Sequence, residues 1–366
     1  MSLWGSVNLG TPSDLRAVEG RDVFVCGGGH QGLAMAAHLA LSGCRVSLWN
    51  RTAANISAVL ETGEVECSGV VKGVARLELV STDMGEAMRR FVMVATPSSA
   101  HKDIARAMAP YVDRDTVVVL NPGRTFGAIE FAETLESCGV SELPHIAETQ
   151  TIVYTCRRMG GNKARVFAIK RGVRIASLRK GDLPAIMERM PACIRGYFEP
   201  VDSIAVTSLG NVGMVLHCAP VLMNAGWIEA PGVAFKYYYD GITPSIASFV
   251  EKIDSERLAV ADALGCRIES TSDWLRRVYG VRGSSLYECI RNNDAYRRID
   301  APESIRCRYT EEDIPNGLVP LSHIAKQLGV PTACSDLVVK LGNEVLGIDF
   351  ESQGRRMDLP LVRKYL

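Results

Sequence analysis

Two stretches of this 366-residue chain carry residue types that could do chemistry. The first is Gly210-Asn211-Val212-Gly213-Met214-Val215-Leu216-His217-Cys218-Ala219-Pro220, inside a span from Ser203 to Ile228 with no formally charged side chain. An imidazole titrates near neutrality and can both take and return a proton, yet left unpartnered in apolar surroundings it is costly. His217 is therefore either a satisfied core group or an acid/base catalyst, and composition alone slightly favours the former. The remaining histidines read as surface or capping groups. His30 lies in a glycine loop, His38 and His101 on helices, His145 at a strand start and His323 in Leu321–Ala325.

The second stretch is Val23-Phe24-Val25-Cys26-Gly27-Gly28-Gly29-His30-Gln31-Gly32, in which Gly27, Gly29 and Gly32 match G-x-G-x-x-G after a strand and before a helix. Gly27 permits the tight turn, Gly29 lets a pyrophosphate approach the backbone, and Gly32 lets helix and strand pack closely. Gly28, His30 and Gln31 complete the loop, whose free amides would face the anion. The next strand ends in Asn50-Arg51-Thr52, where an NAD site usually carries an acid. A guanidinium there suits a 2′-phosphate, with Asn50 and Thr52 donating to it, so the expected cofactor is NADP, with NAD as the second option. Arg51 stacking on adenine would suit either. Thr96-Pro97 and Asn121 close two further strands and should flank the ribose and nicotinamide, unless these are ordinary turns.

The elements that must position these residues fall into two groups. Strand-like runs at Asp22–Cys26, Arg45–Trp49, Arg76–Val80, Phe91–Ala95 and Thr116–Leu120 alternate with helical ones at Leu33–Ala40, Ala100–Met108 and Ile129–Ser137. That alternation predicts an α/β fold, a Rossmann-type doubly wound sheet over residues 21–198 after an N-terminal arm at 1–20. Ile146–Tyr154, Arg165–Lys170 and Arg174–Leu178 read as further strands, the last two as a hairpin around Arg171-Gly172-Val173. From Arg157 to Lys180 there are nine basic residues and no acid, read as a solvated hairpin or subunit contact. Beyond Asp182 helical periodicity dominates, predicting an all-α domain over 199–366. Helices are expected near 182–190, ahead of that domain, and within it near 203–225, 244–264, 271–279, 321–328 and 335–346.

Composition excludes several classes. Forty-one basic residues balance forty-one acidic ones, which argues against a polyanion or anionic-membrane coat. The basic stretch carries one aromatic, Phe167, too few for a nucleic-acid groove. The uncharged span contains Asn211, His217, Pro220 and Asn224, so a buried helix is expected there and no membrane crossing. Eleven scattered cysteines without a C-x-x-C pair read as reduced thiols of a cytoplasmic protein. A homodimer is compatible with all of this.

Taken together, Leu120-Asn121-Pro122-Gly123, Glu148-Thr149 before Tyr154 and Arg157, Asn211 followed by His217, and Arg308-Tyr309-Thr310-Glu311-Glu312-Asp313-Ile314-Pro315 with Gly317-Leu318-Val319-Pro320 resemble the octopine/nopaline (opine) dehydrogenase family. The resemblance covers about Arg21 to Arg356. It implies a Rossmann domain joined to an all-α domain, with substrate in the cleft between them. It also implies NAD(P)H-dependent condensation of an amino acid with a 2-oxo acid to an N-(1-carboxyalkyl) amino acid, and the reverse oxidation. On that resemblance His217 is the acid/base and Asp313 holds its other ring nitrogen. Arg308 clamps a substrate carboxylate, while Asn211 and Glu148 contact substrate, Glu148 equally well serving as a cap or ion pair. The nicotinamide supplies the hydride, so no metal is implied. The chain departs from the family where Cys218-Ala219 separate the histidine from Pro220, which puts the particular substrate pocket in doubt.

Two rivals stand beside this reading. A 2-hydroxy-acid, ketopantoate-type or 6-phosphogluconate-type dehydrogenase would carry a Lys four residues before an Asn, where this chain has Thr207 before Asn211 and no Lys from Asp182 to Ala234. A non-enzymatic NADP-binding sensor would need no conjunction of His217, Arg308 and Asp313.

Overall fold

Val23 to Cys26, Val92 to Val94 and Val117 to Leu120 have no exposed surface, as expected of strands covered on both faces. In the computed structural model, which describes residues 22–366, they form the centre of an eight-stranded sheet. The expected arm at 1–20 lies outside the described residues. The strands are β1 (Asp22–Cys26), β2 (Arg45–Trp49), β3 (Glu64–Gly69), β4 (Gly73–Arg76), β5 (Leu79–Ser81), β6 (Phe91–Val94), β7 (Val117–Leu120), β8 (His145–Thr149), β9 (Tyr154–Arg158), β10 (Lys163–Ile169), β11 (Val173–Ser177) and β12 (Phe198–Pro200). The large sheet runs β5-β2-β1-β6-β7-β8-β11-β12. Its first six strands are parallel, and β11 turns antiparallel to β8. The order reverses beside β1, so the crevice beyond the carboxyl ends of β1 and β6 is the switch point where such sheets take ligands.

A second sheet, β4-β3-β10-β9, corrects the sequence reading at two places. The run read as one strand over Ile146–Tyr154 breaks into β8 in the large sheet and β9 in the small one. The expected hairpin around Gly172 does not form, because β10 pairs with β9 and β3 while β11 pairs with β8 and β12. Strand pairing is long-range, and adjacency in sequence favoured the wrong partner. Helix α1 (His30–Leu41) packs against strands of both sheets, and every residue from Gln31 to Leu39 is buried. His38 thus sits in a core, where its Nδ1 meets the Tyr154 hydroxyl at 2.9 Å and burial lowers its pKa to about 4.

The chain divides into two units. The first comprises the described residues up to Gly123 with Gly127–Ile204. The second comprises Ala205–Lys364 and the short segment Arg124–Phe126. The second unit is helical and includes α2 (Ile204–Leu209, whose first residue belongs to the first unit), α3 (Gly213–Met223), α4 (Pro244–Ala263), α5 (Arg308–Glu311), α6 (Val319–Leu328) and α7 (Ala333–Leu346). The single helix expected over 203–225 is broken at Gly210–Val212. Ile204–Met223 has the length and hydropathy of a membrane span, but 83% of its most apolar window is buried within the protein. It is the core of the helical unit.

Candidate active site

The glycine loop joins β1 to α1 as its spacing demands. Gly27 has φ +114°, and a Cβ on Gly32 would stand 1.7 Å from the Gly27 carbonyl oxygen, so neither position admits a side chain. Gly29, by contrast, is exposed and a Cβ there would meet nothing within 4 Å. The loop is therefore packed on its protein side and open where an anion would approach. Around it, Gln31 Nε2 donates to the Asn121 carbonyl at 3.3 Å. Three buried polar atoms at this edge, Gln31 Oε1, Thr96 Oγ1 and Asn121 Oδ1, have no hydrogen-bond partner among the described residues. Orphaned buried acceptors and hydroxyls cost free energy unless a ligand or water satisfies them, so the residues present fit a dinucleotide.

The other expected cofactor residues are distributed differently. Asn50 Oδ1 accepts the Gly28 N–H at 3.1 Å and its Nδ2 donates to the Thr52 carbonyl, so Asn50 braces the loop from behind. Arg51 and Thr52 are exposed, and Arg51 pairs with Asp103 at 3.2 Å on the surface. Pro97 is exposed beside Thr96. His30 Nδ1 accepts the Arg158 backbone N–H at 2.8 Å, tying the loop to β9. Glu148, expected to contact substrate, has no exposed surface and its Oε2 accepts the Ala128 N–H at 2.9 Å. The structure gives it the capping role at the start of helix Gly127–Ser137.

In the helical unit the sequence brings His217 and Asp313 together from 96 residues apart, His217 Nδ1 to Asp313 Oδ2 at 2.7 Å. His217 lies midway along α3, and Asp313 opens a π-helical turn, Ile314–Leu318, of the kind that often re-aims a side chain at a functional site. Asp313 has no exposed surface. Burial alone would raise its pKa, but Arg124 and His217 outweigh that and hold it at about 2. The carboxylate stays ionised, so the proton of a neutral His217 sits on Nδ1 and Nε2 is the acceptor. Burial pushes the His217 pKa below 6.5, with Asp313 opposing the shift.

Several residues that sequence reasoning passed over complete the cluster. Arg124 is buried, with Nη1 3.2 Å from Asp313 Oδ1 and 3.0 Å from Asn211 Oδ1, and Nε 3.4 Å from Glu312 Oε1. A Cβ on Gly213 would stand 2.5 Å from that Nη1, which is why a glycine begins α3. Asn211 Oδ1 also accepts the Gly213 N–H at 3.2 Å. Tyr238 places its hydroxyl 3.1 Å from His217 Nε2, and Tyr309 stacks on the imidazole at 4.0 Å. Pro220 lacks an N–H and so leaves the Leu216 carbonyl without its helical donor. The Tyr237 hydroxyl reaches that carbonyl at 3.2 Å and the His217 carbonyl at 2.8 Å. The signals were faint: Arg124 is the only charge between Asp115 and Glu130, and Tyr237-Tyr238-Tyr239 is the only tyrosine run.

Arg308 sits half exposed at the edge of the cluster, Nη1 3.3 Å from Glu312 Oε2 and its guanidinium 5.5 Å from the Tyr309 ring. Among the described residues its other guanidinium N–H groups have no acceptor, which leaves the fork available for a carboxylate.

Comparison with known proteins agrees with this architecture. Residues 200–346 match the family model for the NAD/NADP octopine/nopaline dehydrogenase α-helical domain, and residues 22–123 match that for the NAD-dependent glycerol-3-phosphate dehydrogenase N-terminus. An opine dehydrogenase of Arthrobacter sp. (strain 1C) is 35% identical, over 93% of this chain and 95% of that protein. Among solved structures, octopine dehydrogenase with NADH and L-arginine superposes with a TM-score of 0.72 at 20% identity, covering 90% of this chain and 91% of that one. NADP+-bound yersinopine dehydrogenase gives 0.75 at 12% identity, covering 93% and 94%. With a nucleotide-binding sheet unit, a helical unit holding the histidine–aspartate pair and a relative this similar over nearly its whole length, the chain belongs to the octopine/nopaline (opine) dehydrogenase family of NAD(P)-dependent oxidoreductases.

Proposed function

We propose that the protein condenses an amino acid with a 2-oxo acid and reduces the product to an N-(1-carboxyalkyl) amino acid, acting on a CH–NH bond in reverse. The observation that carries this reading is the His217–Asp313 pair, an imidazole with one nitrogen locked by a carboxylate and the other facing only the Tyr238 hydroxyl among the described residues. Neutral His217 takes a proton from the substrate ammonium through Nε2, freeing the amine to attack the 2-oxo carbon. The imidazolium, stabilised by ionised Asp313, returns that proton to the departing hydroxyl, and water leaves as the C=N bond forms. Arg308 binds a carboxylate and fixes the reacting carbon near the imidazole. The bound nicotinamide supplies the hydride that reduces the C=N bond.

Gly27, Gly28, Gly29, His30, Gln31 and Gly32 hold the pyrophosphate, and Thr96, Pro97 and Asn121 border the ribose and nicotinamide. Asn50 shapes the loop while Arg51 and Thr52 meet a 2′-phosphate, which favours NADPH over NADH. Asn211 and Glu148 support the site without touching substrate. All eleven cysteines are free thiols, in keeping with a cytoplasmic setting.

The test is NADPH oxidation with single amino acids, single 2-oxo acids and pairs. Turnover that requires the pair supports the proposal. Turnover with a 2-oxo acid alone, indifferent to amines, assigns a hydroxy-acid dehydrogenase instead. Repeating the assay with NADH tests the cofactor preference.

A further inference from the structure

We propose that Tyr238 is a catalytic residue, its hydroxyl carrying each proton between the substrate and His217 Nε2 in a two-proton relay. This rests on the acid/base role of His217 proposed above. Nδ1 is committed to Asp313, so proton exchange with substrate must use Nε2, and the Tyr238 hydroxyl already stands on that nitrogen at 3.1 Å. The hydroxyl cannot readily step aside. Its ring is stacked on Tyr296 at 3.9 Å and meets Tyr237 edge-on at 4.8 Å, and Tyr237 is itself bonded to the backbone of His217. The phenolic oxygen accepts no hydrogen bond from the protein among the described residues, so its lone pairs are available to a substrate proton. Arg308 lies 5.5 Å from the Tyr309 ring, which stacks on the imidazole at 4.0 Å, so a carboxylate held by Arg308 borders the same cluster.

The step balances without a further reactant. When the substrate ammonium is deprotonated, its N–H bond breaks and an O–H bond forms on Tyr238. The original Tyr238 O–H bond breaks as an N–H bond forms at Nε2. The products are a neutral amine, an intact phenol and an imidazolium. Dehydration runs the two transfers backwards, delivering the proton to the departing hydroxyl. Burial raises the Tyr238 pKa well above 10, so a phenolate does not accumulate and both protons move together.

Tyr238→Phe removes one oxygen and keeps the ring stack. Single-turnover NADPH oxidation with the amino-acid and 2-oxo-acid pair should slow by about 10²-fold or more, the usual contribution of a positioned acid/base group, with NADPH affinity unchanged. In mixtures of H2O and D2O the wild-type rate should curve with deuterium fraction, as two protons in flight require, and the variant should respond linearly. A Tyr238→Phe rate within about threefold of wild type, or a linear wild-type response, overturns the relay. His217→Ala separates the two proposals. An inactive His217→Ala beside a fully active Tyr238→Phe discards the relay and keeps the histidine, whereas an active His217→Ala discards both. If Tyr238→Phe fails to fold, Tyr238→3-fluorotyrosine preserves the shape and acidifies the phenol. The relay then predicts a changed rate and proton response, and an unchanged pair of values overturns it.

Discussion

Replacing Arg124 by methionine tests the charge arrangement behind His217. Methionine keeps much of the side-chain length and removes the one permanent cation that, among the described residues, pairs directly with Asp313. It also removes a cation from Glu312, which pairs with half-exposed Arg308 as well. Deleting one partner of a buried ion pair costs about 3–5 kcal/mol, because the other charge is stranded in a poorly solvating interior. Part of this can be read from Asp313 alone. Holding its carboxyl at about 2 instead of 3.8 corresponds to roughly 2 kcal/mol at neutral pH. Since its folded pKa is depressed, that stabilisation is present above pH 3.8 and is lost as pH falls through the window from 3.8 to about 2. Without Arg124, burial pulls the carboxyl back up toward or past 3.8, so this acid loss shrinks or reverses and the deficit of the variant narrows as pH falls. Urea unfolding of wild type and Arg124→Met between pH 3 and 8 measures both effects. We expect a deficit of about 3–5 kcal/mol at pH 7 that narrows toward acid, and partial recovery in Arg124→Lys. A variant within about 1 kcal/mol of wild type, with the same pH dependence, would refute the claim that Arg124 sustains the Asp313 charge.

Three further outcomes follow from the two sites. Because burial lowers the His217 pKa, the neutral base persists below pH 6.5, so kcat/KM for opine oxidation should have its acid limb at a midpoint below 6.5; a midpoint at or above that value would mean another group limits the rate. Gly29→Ala should fold like wild type yet bind NADPH at least about tenfold more weakly, since its Cβ enters space reserved for the pyrophosphate. Gly32→Ala should lose about 1–3 kcal/mol of stability, because its Cβ collides with the Gly27 carbonyl; thermal melts and NADPH titration distinguish the two, and equal affinity in Gly29→Ala would move the anion elsewhere.

Much of the nucleotide unit was legible in order along the chain. Each β–α alternation and the glycine loop are local patterns, readable from ten or so residues, and the strands of the sheet centre fell where their apolar runs placed them. The small sheet was not legible. β3 alternates over only two buried residues, Val65 and Cys67 between Glu64, Glu66 and Ser68, and its partner β10 lies about a hundred residues away. The split of the uncharged span at Gly210–Val212 was also hidden, since its composition is uniformly apolar on either side of the break. Glu148 could have been a cap or a substrate contact from its sequence surroundings, and its bond to the Ala128 N–H, twenty residues away, is a contact that no local pattern encodes.

By itself, the sequence determined the fold class, the dinucleotide loop and the histidine in an uncharged helix, because these are set by residue type and short-range spacing. The resemblance added Asp313 and Arg308 to that histidine. Tertiary structure alone decided what surrounds it. Arg124 meets Glu312 across 188 residues of chain and reaches that place through a backbone with φ +60°. Tyr238 and Tyr309 close on the imidazole from two other segments. The protonation state of His217 depends on how deeply it is buried and on the charges a few ångströms away. Those distances come from the packing of segments remote in sequence, which no local pattern encodes.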